Sequence, residues 1–399
     1  LQGRGQRLLA TLARGVPIML LPILFFPGDF RFYSGLMVDL FAPGALGPLD
    51  GILLAARPWL GGLAFTLIAA HLLRGAARAR RGSNRALEGM LSKTGATLIR
   101  GKAIITGKHE VTIGNTRYNA ERILIASGAR PFVPEFPGSD LMVISDDVFT
   151  LPILPTRVLI VGGGYIATEF AGIFHALGVA VTQAYRGELF LRGFDKEISS
   201  YVAEHMRKKK IDLRFHCQPE RIEKNADDSL QVTFNDGSTI ATDIVLAATG
   251  RRPNTAHLGL EKVGVELDGR GAVKVNDAFQ TNVSSIYALG DVIDRLQLTP
   301  VALAEAMNLV DRLYRGKNTC LSYELIPSAV FSTPNLGTVG LTEEQAREQY
   351  PQIDIFTTEF RSLKQALADT TERYLMKLIV DTQSDRVIGA HMAGEGAGE

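Results

Sequence analysis

Short apolar runs that end in glycine-containing turns recur along the chain from about residue 98 onward. The runs at 123–127 (ILIAS) and 157–161 (RVLIV) are continuous, as is typical of buried strands. A helical pattern follows the second run through Leu177, and another strand-like run covers 179–185. Strand, helix and strand in this order predict a βαβ unit and therefore a parallel sheet.

The remaining pattern predicts further helices and a series of strands. The helices cover 196–210 and 342–349, and a third follows the strand at 285–289. The other strands cover 97–99, 103–106, 110–113, 213–215, 230–234, 244–248, 353–360, 374–381 and 386–392.

The first 83 residues have a different texture. Residues 8–26 and 59–73 are apolar with no polar helical face, and the first segment is long enough to span a bilayer. Arginines flank the outer ends of both segments, whereas the link between them is poor in basic residues. The positive-inside rule then predicts a two-helix membrane hairpin with both ends facing the cytoplasm. The alternative is an apolar stretch of a soluble protein, or one joined artificially to the rest.

Composition adds a boundary and argues against one class of partner. The formal net charge of the 399 residues is +1, so nothing points to nucleic acid. This total hides nine Arg, three Asp and no Lys before Ser83, and such a shift marks a boundary between segments. The two cysteines, Cys217 and Cys320, form no CxxC or CxxxxC pair. We expect two buried thiols of a reducing compartment, and we predict no metal site.

The most specific local motif directly follows the RVLIV strand. It reads VGGGYIA, a G-x-G-x-x-A pattern between a strand and the start of a helix. Gly162 permits the tight turn, Gly164 lets a pyrophosphate approach the backbone, and Ala167 lets helix and strand pack closely. Tyr165 and Ile166 begin the helix. The pattern predicts a dinucleotide-binding site.

The end of the next strand indicates which nicotinamide cofactor would bind. An NAD site usually has Asp or Glu there for the ribose hydroxyls. Here the strand ends in QAYR, so that Arg186 follows it and Arg192 lies six residues further on. Two guanidinium groups and no carboxylate suit a 2′-phosphate, which predicts NADPH. The alternative for either arginine is a solvated surface charge.

Three other strands also end in a turn that contains glycine. Gly290 and Asp291 follow the strand at 285–289, where the glycine allows close backbone approach and the aspartate can accept hydrogen bonds from ligand hydroxyls. Gly128 and Gly250 lie in the similar segments ASGARP and ATGRRP. These two segments support a second ligand site at Asp291.

From about Arg85 to Glu399 the chain resembles the flavoprotein disulfide reductases, and within them glutathione reductase. The matching segments, in chain order, are ASGARP, GGGYIATEFAG, YRGELFLRGFD, ATGRRP, YALGDV, LTPVA and FSTPNLGTVGLTEEQA, in which ASGARP and ATGRRP are the two A-[ST]-G-x-R-P turns. The resemblance implies an α/β fold with a Rossmann-like NADPH domain inserted in a partial FAD domain, followed by a truncated α+β interface domain. The implied boundaries are 1–83 for the membrane-associated segment, 84–150 and 280–323 for FAD, 151–279 for NADPH and 324–399 for dimerisation.

The same resemblance implies roles for individual residues. Asp291 would contact the ribityl chain of FAD, and Thr299 would lie near the flavin ring. Tyr165 would gate the nicotinamide pocket with support from Glu169. The two arginines already named would bind the 2′-phosphate of NADPH.

Several parts of the family pattern are not found in these 399 residues. The family begins with a GxGxxG turn for the ADP half of FAD and then has the redox-active pair CVNVGCVPKK, whereas residues 1–83 stand in their place. The HPT-containing segment that supplies the catalytic base is not found either, and His391 lies in a predicted strand and is not that histidine. We therefore expect weak or no FAD binding, an impaired homodimer, and no reduction of glutathione disulfide, the substrate of the family.

Three hypotheses follow. The chain is a fragment or chimera of a glutathione reductase, or a membrane-tethered NADPH-binding module, or a flavin-dependent NADPH dehydrogenase that passes electrons to a membrane acceptor. Whether the purified protein retains flavin distinguishes these three hypotheses. In each case we expect a cytoplasmic location, free or tethered to the inner face of a membrane.

Overall fold

The computed structural model describes residues 82, 85–86, 88–367 and 372–399, which belong to one compact unit. Among these residues, no helix is both long and apolar enough to cross a bilayer. The two apolar segments of the predicted membrane hairpin lie outside the described residues, so the hairpin stays a prediction.

From residue 100 onward we number the elements in chain order. The strands β1 to β20 are Ala103–Gly107, Glu110–Ile113, Thr116–Asn119, Ile123–Ile125, Ala129–Pro131, Val143–Ile144, Arg157–Val161, Ala180–Ala184, Asp212–Arg214, Pro219–Lys224, Leu230–Phe234, Thr239–Thr242, Ile244–Ala247, Arg251–Pro253, Ile286–Ala288, Ser328–Val330, Leu336–Gly340, Ile353–Phe360, Tyr374–Asp381 and Arg386–Ala393. The α-helices α1 to α7 are Ser145–Val148, Tyr165–Ala176, Lys196–Lys208, Leu260–Val263, Thr299–Tyr314, Glu343–Gln349 and Leu363–Leu367.

A five-stranded parallel sheet with the order β6-β13-β7-β8-β9 carries the glycine-rich turn. Val158 and Ile160 of β7 share a core with residues of helices α2 and α3. Leu159 and Val161 share a second core with the antiparallel sheet β10-β11-β12, because successive side chains of a strand point to opposite faces. The predicted βαβ unit is therefore present, with β7, α2 and β8 in sequence.

The last part of the chain forms a five-stranded antiparallel sheet with the order β16-β17-β20-β19-β18. Its residues Val330, Leu336 and Leu375 are buried in the same core as α2 and α3. One continuous apolar core thus joins this sheet to the parallel sheet.

The segments 84–150 and 280–323, which we predict to share a domain, meet in a short parallel pair. β4 pairs with β15, with Ile123 opposite Ile286. Ile286, Val292 and other buried residues form the third core together with helix α5. β6 departs from the predicted grouping, because it pairs with β13 in the parallel sheet. The domain boundaries stay predictions.

The predicted α/β fold is confirmed, and the differences are local. Residues 97–99 do not form a strand, because this exposed stretch has no strand partner among the described residues. The strands β3 (TRYN) and β10 (PERIEK) lack the apolar pattern that would have predicted them. The predicted helix at 196–210 ends at Lys208, and Lys210 turns the chain with a φ of 67°.

Candidate dinucleotide site

The glycine-rich turn leaves the end of β7 and opens helix α2. Gly162 has a φ of 148°, and a Cβ placed on it would lie 2.1 Å from the carbonyl oxygen of Ala248. Gly164 caps the helix without any side-chain hydrogen bond, and a Cβ placed on it would meet no atom within 4 Å. The first backbone N–H groups of this helix are therefore open to an anion.

The two residues that follow Tyr165 seat the helix against the sheet. Ala167 is fully buried, so its small side chain lets α2 approach the sheet closely. Ile166 is partly buried and packs against the same core. The structure therefore provides the close helix–strand contact that the motif predicts.

A loop over residues 185–195 leaves β8 and docks on this turn. The backbone N–H of Leu191 donates to the carbonyl oxygen of Gly163 at 2.6 Å. The ring of Tyr185 lies between two glycines, since a Cβ would come within 2.4 Å of it at Gly163 and within 2.6 Å at Gly187. We call this segment the phosphate loop.

Arg186 and Arg192 both lie on the phosphate loop. Both are exposed, and neither forms an ion pair with a carboxylate in the described part of the chain. The turn and the two free guanidinium groups fit the pyrophosphate and the 2′-phosphate of NADPH, respectively.

Tyr165 and Glu169 lie one turn apart on α2. Burial raises the pKa of Glu169, and a 3.0 Å hydrogen bond from the backbone N–H of Phe331 to its Oε1 partly offsets that effect. Burial also raises the pKa of Tyr165, and the charges of Asp291 and Glu169 add to the shift, whereas Arg251 opposes it. Tyr165 of the dinucleotide turn is thus close enough to Asp291 of the second predicted site to sense its charge. Sequence reasoning did not single out Arg251.

The turns that hold Gly128 and Gly250 are brought together by the antiparallel pair β5 and β14. The backbone N–H of Asn254 donates to the carbonyl oxygen of Gly128 at 2.8 Å, and the Ser127 hydroxyl donates to the carbonyl oxygen of Asn254 at 2.7 Å. Gly128 and Gly250 have φ values of 70° and 125°, and a Cβ would meet no atom within 4 Å at either one. Both turns therefore present open backbone.

Asp291 lies in a short 3-10 helix, Gly290–Ile293, directly after β15, and it is partly buried. The backbone N–H of Gly290 donates to Glu305 Oε2 at 2.6 Å, and the hydroxyl of Tyr323 donates to Glu305 Oε1 at 2.7 Å. Buried Glu305 thus fixes the Gly-Asp turn from helix α5, a role that no local motif indicates. Thr299 is exposed at the first position of α5, which has no side-chain cap. The carboxylate and this helix start fit part of an FAD site.

The two cysteines are both free thiols. Cys217 is buried, and burial raises its pKa. Cys320 is exposed, so the prediction of two buried thiols is wrong for it, because its segment after α5 runs over the surface.

His391 lies buried in β20 with Nε2 3.0 Å from the carbonyl oxygen of Leu341. No metal-binding group of three or more His, Cys, Asp or Glu occurs in the described part of the chain.

Three family models match the chain. Residues 51–306 match Pyridine nucleotide-disulphide oxidoreductase, and residues 326–399 match the dimerisation domain of the same name. Residues 1–98 match Beta-carotene 15,15'-dioxygenase, which overlaps the first match over 51–98. The first segment of the chain is therefore similar to a different family from the remainder.

Similar proteins include glutathione reductases. The enzyme of Burkholderia cepacia is 44% identical over 310 residues, which are 78% of this chain and 69% of that enzyme. The chloroplastic/mitochondrial enzyme of Pisum sativum is 45% identical over 77% of this chain and 56% of its own length. Among solved structures, the HOCl-induced flavoprotein disulfide reductase RclA from Escherichia coli has a TM-score of 0.74 at 30% identity, over 84% of this chain and 80% of that chain.

Proposed function

Since the chain belongs to the pyridine nucleotide-disulphide oxidoreductase family and is similar to glutathione reductases, we propose that it is a glutathione-disulfide reductase-like oxidoreductase of this family. Its described part would bind NADPH, the electron donor of the glutathione reductase reaction. The glutathione reductase family uses NADPH and FAD. The open turn at Gly164 would hold the pyrophosphate of NADPH, and Arg186 and Arg192 would hold its 2′-phosphate.

The docking of the phosphate loop on the glycine-rich turn carries this proposal. The contact between Leu191 and Gly163 joins two elements that would bind different phosphates of one cofactor. The 2′-phosphate of NADPH would gain charge-assisted contacts from two guanidinium groups that have no carboxylate partner among the described residues. NADH has no 2′-phosphate and would not make these contacts. The geometry therefore favours NADPH over NADH.

When bound, NADPH would supply a hydride, for which FAD would serve as the acceptor. In this chain, Tyr165 at the helix start would cover the nicotinamide site and limit the entry of water, and Glu169 would hold that part of α2 against Phe331. Asp291 would accept hydrogen bonds from ribityl hydroxyls, with its turn fixed by Glu305. Neither Cys217 nor Cys320 is proposed as an electron acceptor, because a redox pair needs two sulfurs within bonding reach and these thiols lie in different parts of the fold.

We propose that the partner of the antiparallel sheet is a second copy of this chain. The dimerisation-domain match at 326–399 supports this assembly. The small-molecule substrate class of the complete assembly would be glutathione disulfide, and the location would be cytoplasmic. The expected impairment of the dimer stays a prediction.

The proposal is tested by titrating the purified chain with NADPH and with NADH at physiological salt. Tighter binding of NADPH is the expected result, and equal affinities would refute the proposed site. An absorbance scan of the same sample separates the alternatives. A stoichiometric flavin band would favour the flavin-dependent dehydrogenase over a bare NADPH-binding module.

A further inference from the structure

A buried lysine joins three carboxylates where the antiparallel sheet meets the start of helix α3. Lys377 of β19 is 1% exposed. Its Nζ lies 3.0 Å from Asp195 Oδ1, 2.9 Å from Glu197 Oε2 and 2.6 Å from Glu343 Oε2. A buried ammonium group needs such partners, because an unpaired charge in the interior is costly. We call these four residues the lysine cluster.

Asp195 has a second role, since it ends the phosphate loop and caps helix α3. Its Oδ1 accepts hydrogen bonds from the backbone N–H groups of Glu197 at 3.1 Å and Ile198 at 3.4 Å, and its Oδ2 accepts one from that of Glu343 at 3.0 Å. Burial raises the pKa of Asp195, but the hydrogen bonds from Glu343 and Lys377 outweigh it and hold the pKa below its ordinary value. The carboxylate is therefore kept charged in a buried position.

The phosphate loop is anchored on both sides of Arg192. On one side, Leu191 is buried and bonded to the carbonyl oxygen of Gly163. On the other side, only Gly193 and Phe194 separate the arginine from Asp195, and Gly193 has a φ of 95° with nothing near its Cβ position. The glycine itself imposes little restraint, and a 3.1 Å hydrogen bond from the N–H of Phe194 to the carbonyl oxygen of Leu191 closes a turn around Arg192. The orientation of this turn relative to the rest of the site depends on the two anchors.

We infer that Lys377 is a positioning residue for the 2′-phosphate of NADPH, which acts through Asp195 to fix the end of the loop that carries Arg192. This inference rests on the proposed NADPH site. Without the ammonium group, the carboxylate of Asp195 would be buried with no cation of its own beside two other acidic side chains, of which Glu343 alone would keep a partner among the described residues, Arg347 at 2.6 Å. It would then take up a proton or turn away, and the second anchor of the loop would loosen.

The predicted effect is selective for one cofactor. The glycine-rich turn is held by the hydrogen bonds from the N–H of Gly162 to the carbonyl oxygen of Ala184 and from the N–H of Leu191 to that of Gly163, and neither bond involves a residue of the lysine cluster. Binding of the pyrophosphate, which NADH shares, should persist, whereas the contact of Arg192 with the 2′-phosphate should weaken. A lysine that only clamps two parts of the fold together would instead affect both cofactors alike.

The test compares the dissociation constants for NADPH and NADH in the full chain, in Arg192→Ala and in three further variants. Lys377→Met should raise the Kd for NADPH on the order of tenfold and leave that for NADH unchanged. Asp195→Asn keeps an oxygen that can cap α3 but removes the charge, and it should shift the ratio in the same direction. Lys209→Met is the matched control. It breaks the 2.6 Å ion pair with Glu372 at the opposite end of α3 and should leave the ratio unchanged.

A loss of affinity for both cofactors in equal measure, or for neither, would overturn the inference. Should Lys377→Met fail to fold, Asp195→Asn decides, and an unchanged ratio in that variant counts against it. If the parent chain itself does not prefer NADPH, the proposed site fails and the inference fails with it. If the parent prefers NADPH and Arg192→Ala abolishes the preference while the cluster variants keep it, only the inference fails.

Discussion

The backbone N–H of Leu191 donates a 2.6 Å hydrogen bond to the carbonyl oxygen of Gly163. Leu191 has a φ of 58°, so the phosphate loop bends sharply here while the apolar side chain enters the core. The middle residue of the glycine-rich turn is thereby fixed to the loop that carries Arg186 and Arg192. In the proposed site, cofactor binding and cofactor choice would thus depend on one connected piece of backbone.

Gly164→Ala should weaken binding of both NADPH and NADH by about 1–3 kcal/mol, because a methyl group would occupy the space through which the pyrophosphate approaches. The Cβ position is otherwise empty, so the free energy of unfolding should fall by no more than about 1 kcal/mol, the cost of a poorer helix cap. Cofactor titration and thermal unfolding measure the two effects.

Gly162→Ala is the contrast, since its Cβ would lie 2.1 Å from the carbonyl oxygen of Ala248. That variant should lose about 3 kcal/mol or more of stability. Undiminished affinity in Gly164→Ala would contradict the assignment of the turn.

Glu169→Gln should change the pH dependence of stability. The folded-state pKa of Glu169 is raised by burial above its ordinary value of 4.5, so ionisation of this carboxyl opposes folding. A group with a raised pKa loses its contribution to stability as the pH rises through the folded pKa. The glutamine does not titrate and can still accept from Phe331. The stability of the variant relative to the parent should therefore increase as the pH rises from about 4.5 through the folded pKa of the carboxyl.

Unfolding midpoints measured across that pH range check this prediction. Glu220→Gln, at an exposed carboxylate on β10, serves as the control and should track the parent. A constant difference between Glu169→Gln and the parent at every pH would show that folding does not shift the pKa of Glu169, which would contradict the prediction.

We expect the 399-residue chain to hold less than one FAD per chain. Asp291 and the start of α5 offer part of a flavin site, but the sequence contains one G-x-G-x-x-A turn and we assign it to NADPH. The pyrophosphate of FAD would then lack a helix start of its own. The ratio of flavin absorbance to protein absorbance after purification measures occupancy. A ratio of one flavin per chain would contradict the expectation.

Glutathione disulfide should not accelerate NADPH oxidation by this chain. Cys217 is buried, whereas Cys320 is exposed in a different part of the fold, so neither thiol has another cysteine within bonding reach. The assay compares oxidation rates with and without the disulfide. Turnover on the order of 10 per second that depends on the disulfide would show that another group accepts the electrons. A slow rate that does not depend on the disulfide would be consistent with loosely bound flavin.

Local sequence was sufficient for the parts of the site that are built from neighbouring residues. The fingerprint from Gly162 to Ala167 lies within one strand–turn–helix unit, and the position of Arg192 follows from the end of the next strand. Lys377 could not be predicted in the same way, because its partner Asp195 lies 182 residues away. Glu305 likewise gains its role only where α5 packs against the Gly-Asp turn. Periodicity indicates which face of an element is buried, but it does not identify the partner across the core.

The choice of cofactor tests the account most directly. Arg186 and Arg192 are both exposed and have no carboxylate partner among the described residues, so Arg186→Ala plus Arg192→Ala should leave the unfolding midpoint unchanged. The double variant should lose roughly 2–4 kcal/mol of NADPH binding, with no change for NADH. Arg221→Ala, at an exposed arginine of β10, is the control. The decisive measurement is a parallel titration of parent, double variant and control with NADPH and NADH at physiological salt. We predict that the parent and the control prefer NADPH and that the double variant binds both cofactors equally, whereas equal affinities in the parent would contradict the account.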